Sequence, residues 1–293
     1  MTLVTLDAIQ EAAYRLRRIA RVTPVVDVSE RGCPLHLKCE NLQPVGAFKI
    51  RGAYNFMAQL DETVLRHGVI TYSSGNHGQA VAFAAKALGA AAVIVMPETA
   101  PAVKIAGARA LGAEVVFAGT TVLDRQARAE ELAAQRGLAI VPPFDDPRII
   151  AGQGTIGLEV VEQCPDAGAI FVPAGGGGLV SGIAAAVRAL RPDVRLIAVE
   201  PEGAAKMTAS LAAGHPVTLD HTTSIADGLL AVRPGALTFE HVRALVDEVV
   251  TVAESEIAAT TVWLAERCKL VVEPSGAVAA AAVRRRAHDK PLD

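Results

Sequence analysis

One lysine of this sequence combines an apolar setting with nearby glycines. In GAFKIRGAYN, residues 46–55, Lys49 stands between Phe48 and Ile50 and four positions after Val45. An amine that loses contact with water has a lower pKa and becomes a better nucleophile. The ordinary alternative is a surface lysine whose chain reaches the solvent. Lys49 is therefore a candidate nucleophile if other parts of a site accompany it.

Four consecutive glycines, residues 175–178, form a second candidate. They follow an apolar strand pattern and precede a helix pattern in VPAGGGGLVSGIA. Glycines let the backbone turn tightly, and the N–H groups of a helix N-terminus attract negative charge, so the stretch suits a phosphate. It is neither a P-loop nor a G-x-G-x-x-G dinucleotide fingerprint. A plain tight turn is the alternative.

Polar residues fill a third stretch, SSGNHG at 73–78, at another predicted strand-to-helix junction. Its serines, Asn76 and His77 can present donors to a carboxylate or a ring hydroxyl, although they can equally be turn and helix-cap residues. A reactive amine, a glycine cup for a phosphate and an asparagine-bearing loop are together the parts that pyridoxal phosphate requires. The three stretches therefore predict this cofactor more firmly than any one of them does.

Alternating strand and helix patterns must position these stretches. The strand patterns are at 69–73, 91–97, 113–119, 138–143, 169–174 and 194–201. Helix patterns separate them, which is typical of mostly parallel sheets covered by helices. The stretch 142–155 is rich in proline and glycine, so we predict a crossover there between two α/β lobes that enclose a cleft.

The composition favours a small-molecule enzyme. Of 293 residues, 51% are hydrophobic and 20% charged, which supports a substantial core. A net charge of −3 gives no basic surface for nucleic acid or anionic membranes. No apolar stretch is long enough to span a membrane, and the N-terminus lacks the pattern of a signal peptide. The four cysteines form no cluster and are expected to be free thiols, so we expect a cytoplasmic protein.

Longer stretches around the three candidates carry a family resemblance. They are KCENLQPVGAFKIRGAYN, SSGNHGQA, DDPRIIAGQGTIGLE, VPAGGGGLVSGIA, AVEP, IADGL and KLVVEPSGA. In these the chain resembles the serine/threonine dehydratase and serine racemase family of pyridoxal-phosphate enzymes. The resemblance extends from about residue 38 to 280 and implies a two-lobed, tryptophan-synthase-β-like fold (fold type II) and a homodimer. We expect a large cofactor-binding domain of residues 1–52 and 147–293 and a small domain of residues 53–146.

The resemblance also implies a role for each matching residue. Lys49 would hold the cofactor as a Schiff base and move protons, and Phe48 would support the cofactor ring. Asn76 would bond the ring hydroxyl. The phosphate would be cupped by Gly175, Gly176, Gly177, Gly178 and Leu179. The substrate carboxylate would be held by Ser73, Ser74, Gly75, Asn76 and His77.

The implied activity is the conversion of L-threonine or L-serine to a 2-oxo acid and ammonia. Serine racemase is the nearest alternative, because Ser74 falls where racemases keep a second acid/base; many dehydratases have serine there too. A threo-3-hydroxyaspartate dehydratase is equally compatible. A β-replacement synthase of the cysteine-synthase kind is less favoured, since its loop usually reads T-S-G-N-T. A non-catalytic binder is opposed by the intact Lys49 and glycine cup.

The sequence departs from the family at two places. The family's divalent-cation site would use Glu200, the Ala204 carbonyl and a carboxylate where this chain has Lys206. We therefore predict no metal: either the Lys206 ammonium stands in the cation's place beside Glu200, or it is a surface lysine. The family's SGGN segment, whose serine meets the pyridine nitrogen, is also missing. Either the natural chain continues and supplies it, as we expect, or the site lacks a partner for this nitrogen.

Overall fold

The computed structural model describes residues 2–30, 34–73 and 75–289. The strands are β1 Val25–Asp27, β2 His36–Lys38, β3 Val69–Thr71, β4 Ala92–Met96, β5 Glu114–Phe117, β6 Ala139–Ile140, β7 Ala169–Pro173, β8 Arg195–Pro201 and β9 Glu248–Val252. The helices are α1 Leu6–Leu16, α2 Lys49–Met57, α3 Glu62–His67, α4 Asn76–Leu88, α5 Ala102–Ala110, α6 Val122–Arg136, α7 Pro147–Gln163, α8 Gly178–Leu190, α9 Lys206–Ala213, α10 Ala236–Leu245, α11 Glu254–Glu266 and α12 Pro274–Asp289. Strands and helices alternate as the sequence predicts, and the α/β class is confirmed.

The first sheet lies within residues 69–140 and has the strand order β5-β4-β3-β6. All of its pairs are parallel, with Ile70 opposite Val93 and Ile94 opposite Val115. Every residue of β4 is buried. A continuous apolar strand is expected where helices cover both faces of a parallel sheet.

The second sheet has the order β7-β8-β9 and is also parallel. Alternate residues of β8 point to opposite faces, as in any strand. Leu196 and Ala198 join the core beneath α8 and α10, whereas Ile197 and Val199 join the core beneath α12. A separate antiparallel pair, β1 and β2, lies near the N-terminus.

The predicted crossover at 142–155 is wrong in its second half, because α7 begins at Pro147. Asp146 caps the helix by accepting from the Arg148 N–H at 2.8 Å, and proline suits a first helical position. The glycines that suggest a loop serve close helix packing instead. A Cβ on Gly152 would lie 2.6 Å from the Arg51 carbonyl, and one on Gly154 would lie 2.8 Å from Ile9.

Helix α2 connects the two sheets and carries Lys49 as its first residue. It packs against α4 on one side and α7 on the other. Arg51 is 1% exposed and donates to Glu40, Glu159 and Thr155. Two carboxylates and a hydroxyl therefore fix the helix in place. The predicted domain boundary between residues 52 and 53 falls inside this helix.

Among the described residues, no helix has the length and apolar character needed to cross a membrane. Cys39, Cys164 and Cys268 are free thiols, as predicted. Cys33 lies outside the described residues.

Candidate active site

A cleft of about 2510 Å³ opens between the two sheets. The loop after β3 and the loop after β7 both border it, and ligands of open parallel sheets bind beyond these carboxyl ends. The predicted residues that line it are Phe48, Lys49, Ser73, Gly75, Asn76, His77, Gly175, Gly176, Gly177, Gly178 and Leu179. The volume exceeds that of a single drug-sized pocket, so the cleft has room for a cofactor and a substrate. Ser74 lies outside the described residues.

Lys49 enters the cleft from the N-terminus of α2. Its Nζ donates to the Pro143 carbonyl at 2.7 Å and lies 5.4 Å from the centre of the Phe48 ring. Loss of water around the amine lowers the pKa of Lys49 to about 8. Near neutral pH a useful fraction of the amine is therefore uncharged and nucleophilic.

Phe48 forms part of the wall next to this lysine. Its ring is half-buried and packs against the core of the second sheet, which includes Ala174 and Val180. The Phe48 side chain therefore contacts the core of the second sheet, while its neighbour Lys49 begins α2.

The glycine loop runs from the end of β7 into α8. Gly177 has φ +101°, a left-handed conformation that favours glycine. The Gly176 carbonyl accepts from the Thr238 hydroxyl at 2.6 Å, which fixes the turn. The first N–H groups of α8 have no acceptor within the helix, so they are available to an anion.

Two glycines of this loop have no room for a Cβ unless their neighbours move. A Cβ on Gly176 would overlap the Phe144 ring, and one on Gly177 would lie 2.7 Å from Thr238. One on Gly178 would lie 3.0 Å from Phe144. The loop is thus a backbone cup that packs closely against Phe144 and Thr238.

The asparagine loop precedes α4, whose first residue is Asn76. Ser73 accepts from the Gly75 N–H at 3.3 Å through its hydroxyl. A Cβ on Gly78 would overlap the Ser73 carbonyl, so this turn also requires glycine. The N-terminal N–H groups of α4 make the loop suitable for a carboxylate.

The structure places the His77 ring in the interior rather than free in the cleft. It is 5% exposed, and its Nε2 lies 3.1 Å from the Val141 carbonyl, so this nitrogen carries the proton. Burial, helped by the nearby Lys49 charge, lowers the pKa of His77 to about 3. The imidazole is therefore neutral, and any contribution of His77 to carboxylate binding comes from its backbone N–H.

Two side-chain contacts at the cleft could not be predicted from the sequence. The Asn76 amide donates to Glu273 at 2.6 Å, and Lys104 pairs with Asp227 at 2.8 Å. Desolvation, opposed by the Asn76 hydrogen bond, raises the pKa of Glu273. Glu273 lies in the quoted stretch KLVVEPSGA, which is the only sequence signal for it; Phe144 and Thr238 have none.

Lys206 is not a surface lysine. Its side chain is 0% exposed, and its Nζ lies 3.2 Å from a Glu200 oxygen, which is itself fully buried. Three carbonyls complete the surroundings: those of Ala174 and Ala204 at 2.9 Å and that of Leu229 at 3.1 Å. In the described part of the chain no cluster of carboxylates, histidines or cysteines could hold a metal.

Comparison with known proteins identifies the family of this chain. Residues 16–292 match the family model described as pyridoxal-phosphate dependent enzyme. The chain belongs to this family. The predicted cofactor, pyridoxal phosphate, is confirmed at the level of the family.

Relatives within the pyridoxal-phosphate dependent enzymes include both activities raised by the sequence. An L-threonine ammonia-lyase of Geobacter sulfurreducens is 49% identical over 95% of this chain and 70% of its own length. A serine racemase of Schizosaccharomyces pombe is 40% identical over 97% of this chain and 89% of its own length. Threonine deaminase isoform 2 of Solanum lycopersicum, in its processed form, superposes with a TM-score of 0.92 at 40% identity, covering 98% of this chain and 82% of that chain.

The residues present fit the cofactor of the pyridoxal-phosphate dependent enzymes. The glycine cup presents helix N-terminal N–H groups, as a phosphate site requires, and there is no room for a Cβ at Gly176 or Gly177. Lys49 supplies an amine with a lowered pKa on the same cleft. Asn76 supplies an amide at the opposite loop. This donor set matches the phosphate, aldehyde and hydroxyl groups of the cofactor.

Proposed function

We propose that this protein is a dehydratase of small 3-hydroxy amino acids. It would convert L-threonine, L-serine or both to a 2-oxo acid and ammonia. The observation that carries the proposal is the convergence of Lys49, the glycine cup and the asparagine loop on one cleft. The 49% identity to an L-threonine ammonia-lyase supports the substrate class.

Lys49 is assigned two tasks, holding the cofactor and moving the substrate's α-proton. When bound, pyridoxal phosphate delocalises the electron pair left on the α-carbon. The depressed pKa of Lys49 suits a base that works near neutral pH. The Pro143 carbonyl orients the amine within the cleft.

The glycine cup is assigned to the phosphate and Phe48 to the ring. The N–H groups of Gly175 to Leu179 would donate to phosphate oxygens, aided by the positive end of α8. The Asn76 amide, steadied by Glu273, would meet the ring hydroxyl.

The asparagine loop is assigned to the substrate carboxylate. Ser73, Ser74, Gly75, Asn76 and His77 would contribute, with His77 acting through its backbone. Holding the carboxylate at α4 fixes the α-carbon relative to Lys49. Loss of the α-proton and of the β-hydroxyl removes one water, and hydrolysis then yields the 2-oxo acid and ammonia.

Serine racemisation is a second candidate, because a serine racemase is 40% identical over nearly the whole chain. Ser74 would return a proton to the face opposite Lys49. The two activities share every other assigned residue, so they compete for the same substrate complex.

We also propose the lobe assignment and assembly that the family resemblance implies. The first sheet lies within residues 53–146 and the second within 147–293, which supports a small and a large domain. A homodimer in the cytoplasm, acting on a small amino acid and binding neither nucleic acid nor membrane, completes the proposal.

The test is 2-oxo acid release by the cofactor-loaded protein, offered L-serine, L-threonine and threo-3-hydroxyaspartate separately. Rapid release from serine or threonine is expected, with K49A inactive and the exposed-lysine variant K86A unchanged. Release from hydroxyaspartate alone would redirect the substrate assignment. If no 2-oxo acid is released and the recovered amino acid has the inverted configuration, racemase is favoured. If a protein with bound, coloured cofactor neither releases 2-oxo acid nor inverts the amino acid, both proposed activities are contradicted.

A further inference from the structure

The glycine cup has a fully buried cation behind it. Lys206 is the first residue of α9, and four oxygens surround its Nζ at 2.9 to 3.2 Å. A neutral amine has only two N–H groups, whereas an ammonium has three. One carboxylate and three carbonyls therefore stabilise the ammonium form of Lys206, as a shell of oxygen ligands stabilises a bound cation.

Glu200 is held in place independently of the lysine. Its two oxygens accept from the Met207 N–H at 2.8 Å, the Thr208 N–H at 2.9 Å and the Thr208 hydroxyl at 2.9 Å. The carboxylate thus caps α9 at its N-terminus, where negative charge is stabilised. It presents a fixed anion to the lysine.

Two of the carbonyls that bind Lys206 belong to the walls of the glycine cup. Ala174 immediately precedes Gly175, and its N–H donates to Val199 at 2.8 Å. Its two backbone polar groups are thus bonded to β8 and to Lys206. Leu229 faces the cup from the other side, since a Cβ on Gly175 would lie 3.4 Å from its side chain.

The helix that Lys206 begins also touches the cup. The Met207 side chain lies 3.2 Å from the position of a Cβ on Gly177. Displacement of the α9 N-terminus would therefore reach both the first and the third glycine of the loop.

We infer that Lys206 is a positioning residue for the phosphate cup. Its ammonium is a built-in cation that ties the start of the glycine loop to the facing Leu229 segment and to Glu200. Because the cation is part of the chain, the geometry of the cup does not depend on ions in solution. The inference rests on the phosphate-binding role proposed above for this loop.

The test removes the ammonium and returns a cation. The proteins are the holoenzymes of wild type, K206A and K206Q. Two quantities are measured for each: the dissociation constant of pyridoxal phosphate and the ³¹P chemical shift of the bound phosphate. The salts are sodium, potassium and tetramethylammonium chloride at equal ionic strength. Thermal unfolding monitors folding, and K86A is the matched control, since Lys86 is exposed. Potassium is chosen as a probe of ammonium-like size that does not react with the aldehyde.

We expect K206A to bind the cofactor about tenfold more weakly, a loss of about 1.4 kcal/mol, with a changed ³¹P shift. Potassium, but not tetramethylammonium, restores both in K206A, whereas wild type and K86A respond to neither salt. Folded K206A and K206Q with unchanged cofactor affinity and ³¹P shift would overturn the inference. So would failure of both variants to fold in every salt, since Lys206 would then be required for the fold alone.

These measurements report on the cup and not on turnover. If wild type binds the cofactor tightly but releases no 2-oxo acid, the proposed function fails while this inference stands. If wild type is an active dehydratase and K206A binds cofactor normally, only the inference fails.

Discussion

Lys49 lines the cleft, whereas Lys206 lies fully buried beside the glycine loop, and the two amines have different partners. Lys49 faces the cleft, has the Pro143 carbonyl as its hydrogen-bond acceptor and has a pKa near 8. Lys206 is fully buried and has a carboxylate and three carbonyls around it. Burial lowers the pKa of both, but at Lys206 the Glu200 charge opposes that effect. An amine without a counter-charge is available for chemistry, whereas one with a complete oxygen shell is a structural cation.

The largest difference should appear in activity. K49A is expected to lower kcat for 2-oxo acid formation by roughly 10⁴-fold, because both the proton-transfer group and the attachment point are lost. The measurement is a steady-state oxo acid assay at saturating cofactor, with K86A as the matched lysine control. A K49A enzyme within tenfold of wild type would contradict the assignment.

The free energy of unfolding should fall on loss of Lys206 and not on loss of Lys49. K206M is expected to lower the free energy of unfolding by about 3–5 kcal/mol, because it leaves the Glu200 carboxylate buried without a cation. K49M should be neutral or stabilising. The folded-state pKa of Lys49, about 8, is below its unfolded value of 10.5, so the charged amine opposes folding at neutral pH. This opposition declines as pH rises from about 8 to 10.5, and it is absent above that range.

Urea denaturation of both variants checks this contrast, and E200Q with K206M/E200Q completes a double-mutant cycle. The double variant should lose less than the sum of the single losses. Strictly additive losses would mean that the two side chains do not interact.

The lowered pKa of Lys49 should affect the rate at which the protein reacts with its cofactor. In cofactor-free protein the rate of reaction with pyridoxal phosphate should rise with pH through about 8 and then level off, because the neutral amine attacks. Stopped-flow absorbance across pH 6–11 (roughly the range that brackets both pKa values) gives the midpoint. A midpoint near 10.5, the ordinary value for lysine, would remove the basis for a depressed pKa.

The close packing of the glycine loop gives a further test. G176A should weaken cofactor binding by roughly tenfold to a hundredfold, because the added methyl group overlaps the Phe144 ring. G168A is the control, since a Cβ there meets nothing within 4 Å. Titration of the cofactor into each apoprotein measures the effect, and equal affinities for the two variants would argue against a tight cup.

The smallest effect should come from an exposed pair. Lys104 and Asp227 are 2.8 Å apart across the cleft mouth, with side chains 29% and 55% exposed. Their coupling energy should be at most about 1 kcal/mol and should decline with salt. A double-mutant cycle of K104A and D227A in low and high salt measures it. A coupling as large as that of Lys206 with Glu200 would break the distinction between buried and exposed pairs.

Periodic features of the sequence predicted most of the fold. The strand patterns from 69 to 201 became β3 to β8, because buried parallel strands require continuous apolar runs. The start of α7 was missed because Gly152 and Gly154 usually signal a loop. Their role is close helix packing, which depends on helices distant in sequence.

The candidate site was predictable only where its parts lie in short stretches. Lys49, Asn76 and the four glycines are recognisable because local spacing carries their chemistry. The Asn76–Glu273 contact joins residues 197 positions apart, and the walls at Phe144 and Thr238 come from other segments. Whether Lys206 reached solvent or a buried carboxylate depended on tertiary packing, which one sequence position cannot reveal.

The most direct test of the two-lysine account is reductive trapping of the bound cofactor. Borohydride reduction of the holoenzyme, proteolysis and mass spectrometry identify the lysine that carries the pyridoxyl group. We expect label on Lys49 and none on Lys206. Label on Lys206, or on neither lysine in a coloured holoenzyme, would contradict it.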